Sequence, residues 1–75
     1  MALPPLKVDG RSFKLSRKFV LLRLHDKVVQ FDSWDALRIH YWEQARRLGP
    51  EFFHARFFAF DGKSWQEMTR PGFPN

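Results

Sequence analysis

Phe52-Phe53-His54-Ala55-Arg56-Phe57-Phe58-Ala59-Phe60-Asp61-Gly62-Lys63-Ser64-Trp65-Gln66-Glu67-Met68 decides the fold of this chain, because it admits two readings with different architectures. In one, Phe52 to Phe60 is an alternating strand and Asp61-Gly62 turns it back into a second strand, since Asp-Gly accepts the two positive φ angles of a type I′ turn. In the other, Pro50 occupies the first position of a helix on which Phe53, Phe57 and Phe60 share a face. The density of phenylalanine and the Asp-Gly pair favour the strand. Registered on that turn, Phe60 pairs with Lys63, Phe58 with Trp65 and Arg56 with Glu67. Phe53, Ala55, Phe57, Ala59 and Met68 then form a core face on which the small alanines let a helix approach closely. The opposite face carries His54, Arg56, Phe58, Phe60 and Trp65.

The preceding segment supplies that helix. Ser33 is an N-cap, Asp35 in the first turn complements the helix dipole, and Gly49-Pro50 stops the helix after Leu48. Trp34, Leu37, Tyr41, Ala45 and Leu48 recur at steps of three and four, so a helix over 34–48 buries them on one stripe. Ile39, Trp42 and Arg46 flank the stripe, and Glu43 with Arg47 forms an exposed pair. Trp42 is either an anchor for a partner, Trp and Arg being common hot-spot residues, or a core-edge side chain with Arg46 stacked on it.

Earlier still, Arg17 to Leu24 reads as a strand with Val20, Leu22 and Leu24 on one face. A turn at Asp26-Lys27 pairs Leu24 with Val29 and Leu22 with Phe31. Asp9-Gly10 either closes a short hairpin between 6–8 and 11–15 or belongs to a flexible basic loop, and Pro4-Pro5 keeps the start of the chain extended. The expected organisation is a basic arm or short hairpin over 1–16, one domain over 17–68 and a disordered tail over 69–75. The expected fold is α+β: hairpin, helix, hairpin, giving a four-stranded antiparallel sheet with one helix on a face, in two layers.

With 75 residues the chain supports one modest core, and with no cysteine it has neither disulfides nor Cys-containing zinc sites. Nine Phe and three Trp supply large buried area in compensation. The leading Met-Ala-Leu-Pro-Pro-Leu-Lys does not read as a secretory signal, and no apolar stretch is long enough to span a membrane. A cytoplasmic monomer that needs no cofactor or metal and does not bind membranes is expected. His25, His40 and His54 fall in no Ser-His-Asp, HxxxH or HExxH pattern, and no Gly-rich phosphate loop is present. The remaining enzymatic reading is a small basic ribonuclease using His54, Arg56 and a lysine.

The charge is segregated. Lys7, Arg11, Lys14, Arg17, Lys18, Arg23 and Lys27 face only Asp9 and Asp26 within residues 1–27, which therefore hold the whole net charge of +5. Such an electropositive patch suits an acidic partner, either a nucleic acid or the protein surface of a nucleic-acid-handling machine. Two modes follow. In one, the basic arm and the aromatics Phe58 and Trp65 with Arg56 grip DNA or RNA directly by phosphate contact and base stacking, unless the arm covers that face or the aromatics merely pair across the hairpin. In the other, the arm residues Lys7, Arg11, Lys14, Arg17, Lys18 and Arg23 meet an acidic protein surface, with Trp42 beside Arg46, or Trp65, as anchor. The pattern of elements matches neither an RNA recognition motif nor a helix-turn-helix. In size, charge and lack of catalytic residues the chain resembles small phage-encoded inhibitors of bacterial RNA polymerase. The resemblance is one of general type and carries over no residues. It implies a non-enzymatic regulator in the host cytoplasm that docks on the polymerase and blocks or remodels one of its surfaces.

Overall fold

The computed structural model describes residues 3–49 and 54–72. Six strands and one helix follow in the order β1 (Leu6–Val8), β2 (Arg11–Phe13), β3 (Phe19–Arg23), β4 (Lys27–Phe31), α1 (Trp34–Leu48), β5 (Arg56–Phe60) and β6 (Trp65–Met68). β3 to β6 form a four-stranded sheet in the order β4-β3-β5-β6, and each neighbouring pair is antiparallel. The protein is thus α+β, with the helix lying on one face of an antiparallel sheet.

The helix begins and ends where its local chemistry dictates. The Ser33 hydroxyl accepts from the Ala36 N–H at 3.1 Å, and Gly49 caps the other end with φ of 72°, a left-handed angle that costs glycine nothing. Leu37, Tyr41 and Ala45 are buried against Leu21 and Phe57 of the sheet, with Phe19, Phe31, Trp34 and Trp42 around them. Leu48, expected on the buried stripe, is 45% exposed at the end of the helix, so the stripe ends at Ala45.

The opposite face of the sheet is covered as well. β1 and β2 form a hairpin whose Leu6 and Val8 pack on Val20, Leu22 and Phe58, with Leu15 completing this second core. Its turn is Asp9-Gly10, with φ of 50° and 82°, and Val8 opposite Arg11 closes it as a type I′ hairpin. Val20, Leu21 and Leu22 are consequently buried in succession, alternately facing hairpin and helix.

Two registers differ from the sequence expectation. β3 meets β4 with Leu22 opposite Val28, Leu21 opposite Val29 and Phe19 opposite Phe31, rather than Leu22 opposite Phe31 and Leu24 opposite Val29. The connection is Leu24–Asp26, not a turn at Asp26-Lys27, and Leu24 is 48% exposed within it. His25 and Asp26 take left-handed φ angles of 63° and 58° there. Because both faces of β3 are buried, the apolar pattern tolerates an odd shift that a one-sided strand would forbid.

In the last hairpin Phe60 lies opposite Trp65 and Phe58 opposite Glu67, two residues away from the expected pairing. Asp61 causes this shift. Its carboxylate accepts from the backbone N–H groups of Lys63 and Ser64 at 2.8 and 2.9 Å, which builds a wider loop over 61–64 instead of a two-residue turn. Those bonds, Ser64 first, also hold the Asp61 carboxyl below its usual range. An even shift leaves the faces as expected, with Phe57 and Ala59 toward the helix and Phe58, Phe60 and Trp65 away from it. Phe52 and Phe53 lie outside the described residues.

Candidate functional site

The aromatic face expected to stack bases is the floor under the N-terminal hairpin. Phe58 is only 5% exposed, beneath Leu6 and Val8, so its ring is closed to any ligand. Trp65 is half-buried at the edge of the same cluster, with its ring 5.4 Å from that of Phe60. Two polar latches hold the β1 side of the hairpin down. The Trp65 indole N–H donates to the Pro4 carbonyl at 2.8 Å. At the turn end, Arg56 spans two carboxylates, giving Nε and Nη2 to Glu67 at 2.9 and 2.8 Å and Nη1 to Asp9 at 2.9 Å. The forked bond with Arg56 holds Glu67 below the usual carboxylate range, and Glu67 in turn raises the Arg56 pKa.

Between the latches runs a groove of about 500 Å³. One wall is the chain from Pro4 to Asp9, and the floor and far wall are Phe58, Trp65, Glu67 and the 63–64 loop. β2 contributes nothing to it, so the groove lies along the edge of β1 that β2 leaves unpaired. Lys7 and Lys63 stand on its margins.

Four arginines are held in ion pairs among the described residues. Arg11 pairs with Asp26, Arg17 with Asp32, Arg38 with Asp35, and Arg56 with Asp9 and Glu67. Lys7, Lys14, Lys18, Lys27 and Lys63 are all exposed and form no ion pair among the described residues. Arg11, Arg17 and Arg56 therefore act as fasteners between segments, while the lysines stand outward without such pairs; Arg46, Arg47 and Arg70 are exposed as well. Lys18 sits at the end of β3, where its carbonyl accepts from Phe60 N–H at 2.8 Å, so it shares the 61–64 end of the sheet with Lys63. Lys14 lines an apolar depression with Leu3, Pro5, Ser12 and Leu15 on the outer side of the hairpin. Arg23 is half-buried near His40, on the helix side of β3.

Trp42 and Arg46 lie elsewhere, on the helix. Arg46 is exposed in the last turn. The Trp42 indole donates to the carbonyls of Pro71 and Gly72 at 3.1 and 3.0 Å, Pro71 is buried, and Arg70 lies over the indole at 5.7 Å. The start of the expected disordered tail is thus laid against the helix by a hydrogen-bond donor that no local pattern reveals. Residues 73–75 lie outside the described residues.

His54 and Arg56 line a smaller cavity of about 180 Å³ with His25, Arg11, Asp9 and Asp26. Both of its latching arginines are already held by the two aspartates, so this end of the molecule is built as an ion-pair clamp. No group of three or more His, Asp or Glu among the described residues is placed to hold a metal ion. No helix among them is long and apolar enough to cross a membrane.

No family model, curated protein or solved structure matches the chain.

Proposed function

We propose that the protein is a non-enzymatic regulator that docks on an acidic protein surface of the transcription machinery, bacterial RNA polymerase being the partner class, in the cytoplasm. The observation that carries this reading is that Lys7, Lys14, Lys18, Lys27 and Lys63 are exposed and form no ion pair among the described residues, whereas Arg11, Arg17 and Arg56 are spent in internal pairs. Hydrated lysines on flexible stems attract an acidic surface over a Debye length without demanding a fixed geometry. Burial of Phe58 favours protein docking over base stacking, since the ring that would stack is under the hairpin.

The test is binding of the purified protein to purified bacterial RNA polymerase, and separately to duplex DNA and single-stranded RNA, across a salt series. Replacing Lys7, Lys14, Lys18 and Lys63 together by Ala should abolish polymerase binding while the circular-dichroism spectrum stays unchanged. Binding to nucleic acid alone, with a steep salt slope lost in the same variant, would transfer the lysines to phosphate recognition. Binding to polymerase unaffected by the four replacements would sink the reading.

A further inference from the structure

The groove beside β1 has the features of a strand acceptor. In a type I′ hairpin closed by Val8 and Arg11, those two residues exchange both backbone bonds, and the next pair, Lys7 and Ser12, exchanges none. The N–H and C=O of Lys7 therefore point away from β2, into the groove over β6. Leu6 and Val8 are already committed to the core on either side of it. An open strand edge is a template for a further strand, and proteins that do not use such an edge commonly block it. Here the edge is flanked by a groove in which Trp65 is the partly exposed aromatic, Phe58 beneath being closed off by Leu6 and Val8.

The charge around the groove selects the sign of its occupant. Its two carboxylates, Asp9 and Glu67, are both taken by Arg56, whereas the ammonium groups of Lys7 and Lys63 have no ion-pair partner among the described residues. The unspent charge at the margins is cationic. From Pro4 to Asp9 the wall runs for roughly 15 Å at the usual rise of an extended chain, room for about four or five residues of a strand.

We propose that an extended acidic segment of a protein partner binds here by adding a strand to β1, with backbone bonds to Lys7, its acidic side chains toward Lys7 and Lys63, and alternate apolar side chains on Trp65. This rests on the docking reading above and names the form the contact takes.

The experiment uses the full chain, labelled with ¹⁵N, and a synthetic peptide of alternating Glu and Val. Addition should shift the Lys7 amide and the Trp65 indole resonances and slow hydrogen exchange at Lys7. Two variants separate backbone from charge. Lys7→Ala removes only the ammonium, while Lys7→Pro also removes an N–H that the hairpin does not use, at an edge position that tolerates proline. Lys7→Pro should bind the peptide about tenfold more weakly than Lys7→Ala, the worth of a lost strand hydrogen bond. Equal affinities, or shifts that leave Lys7 and Trp65 unmoved, would overturn strand addition. The wild-type shift map keeps the question decidable if Lys7→Pro does not fold. An oligothymidine that moves these resonances when the peptide does not would assign the groove to nucleic acid and overturn the proposal. Polymerase binding that is lost in the four-lysine variant but intact in Lys7→Pro would leave the docking reading standing without it.

Discussion

The indole N–H of Trp65 donates to the carbonyl of Pro4 at 2.8 Å, joining residues 61 positions apart. This bond and the burial of Leu6 and Val8 make the N-terminal segment a layer of the structure rather than a mobile arm. Trp65→Phe keeps an aromatic ring against Phe60 and removes only the donor. The variant should lose about 1 kcal/mol of stability, the net worth of one hydrogen bond. Amide exchange at Leu6 and Val8 should quicken more than exchange in the helix, because opening then begins at the hairpin. Uniform exchange across both would show that the hairpin is not held at this point.

Arg56 holds the other end of the hairpin through a geometry that lysine cannot reproduce. Its guanidinium engages Glu67 with two bonds and Asp9 with a third. Arg56→Lys keeps the charge but loses the fork. The side chain is 37% exposed, so the loss should stay within about 1 kcal/mol in urea unfolding and shrink as salt is raised. An unchanged midpoint at low salt would show that the bridge contributes nothing.

His25 occupies a left-handed conformation, φ 63° and ψ 31°, in the connection between β3 and β4. A side chain there costs roughly 1–2 kcal/mol in Cβ contacts, part of which glycine would return in unfolded-chain entropy. His25→Gly should therefore stabilise the protein by about 0.5–1 kcal/mol. Asp26 beside it tolerates the same conformation better and is anchored by Arg11, so Asp26→Gly should not stabilise. A stabilising Asp26→Gly, or a destabilising His25→Gly, would contradict this account of the turn.

What the sequence made legible follows from the range of each signal. The helix was readable to its ends because its cap, stripe and stop all act within a few residues, as Ser33 and Gly49 show. The faces of β5 survived a register error because alternation is local and the error was even. The register of β3 was not readable, since Phe19-Val20-Leu21-Leu22 is apolar on both faces. That same run carried the missed information: continuous apolar strands mark burial on both sides, so a second layer had to exist. At the site, Pro4-Pro5 and Lys63 gave no sign of lining a groove, because the Trp65 to Pro4 bond that forms it crosses nearly the whole chain. The ion pairs of Arg11, Arg17 and Arg56 are likewise products of the tertiary fold.

Trp42 ties the other end of the chain. Its indole bonds to the Pro71 and Gly72 carbonyls and its ring lies under Arg70. Trp42→Phe should release residues 69–72 while leaving the ring's contact with Tyr41 in place, at 5.1 Å between centroids. Amide hydrogen exchange at Arg70 and Gly72 should then accelerate, with a change of about 1 kcal/mol or less in global stability. Exchange at the wild-type rate would mean that the indole bonds do not restrain the tail.

His40 gives the fold a pH dependence of definite sign. It is partly buried on α1, with its ring 5.1 Å from Phe31, Glu43 on its own helix and Arg23 on β3 nearby. Burial, chiefly, lowers its pKa below the ordinary 6.5; Arg23 adds to the effect and Glu43 opposes it. Above 6.5 the imidazole is neutral in both folded and unfolded chains, and its titration leaves stability flat. As pH falls through 6.5 the unfolded chain takes up a proton that the folded chain refuses, so stability declines toward the folded pKa. Glu67 and Asp61, both shifted down from 4.5 and 3.8, remain ionised over this interval and add no slope. Urea midpoints should therefore be lower at about pH 5.5 than at about pH 8, and His40→Gln should flatten the difference. A midpoint that rises on acidification, or a slope that persists in His40→Gln, would place the titrating group elsewhere.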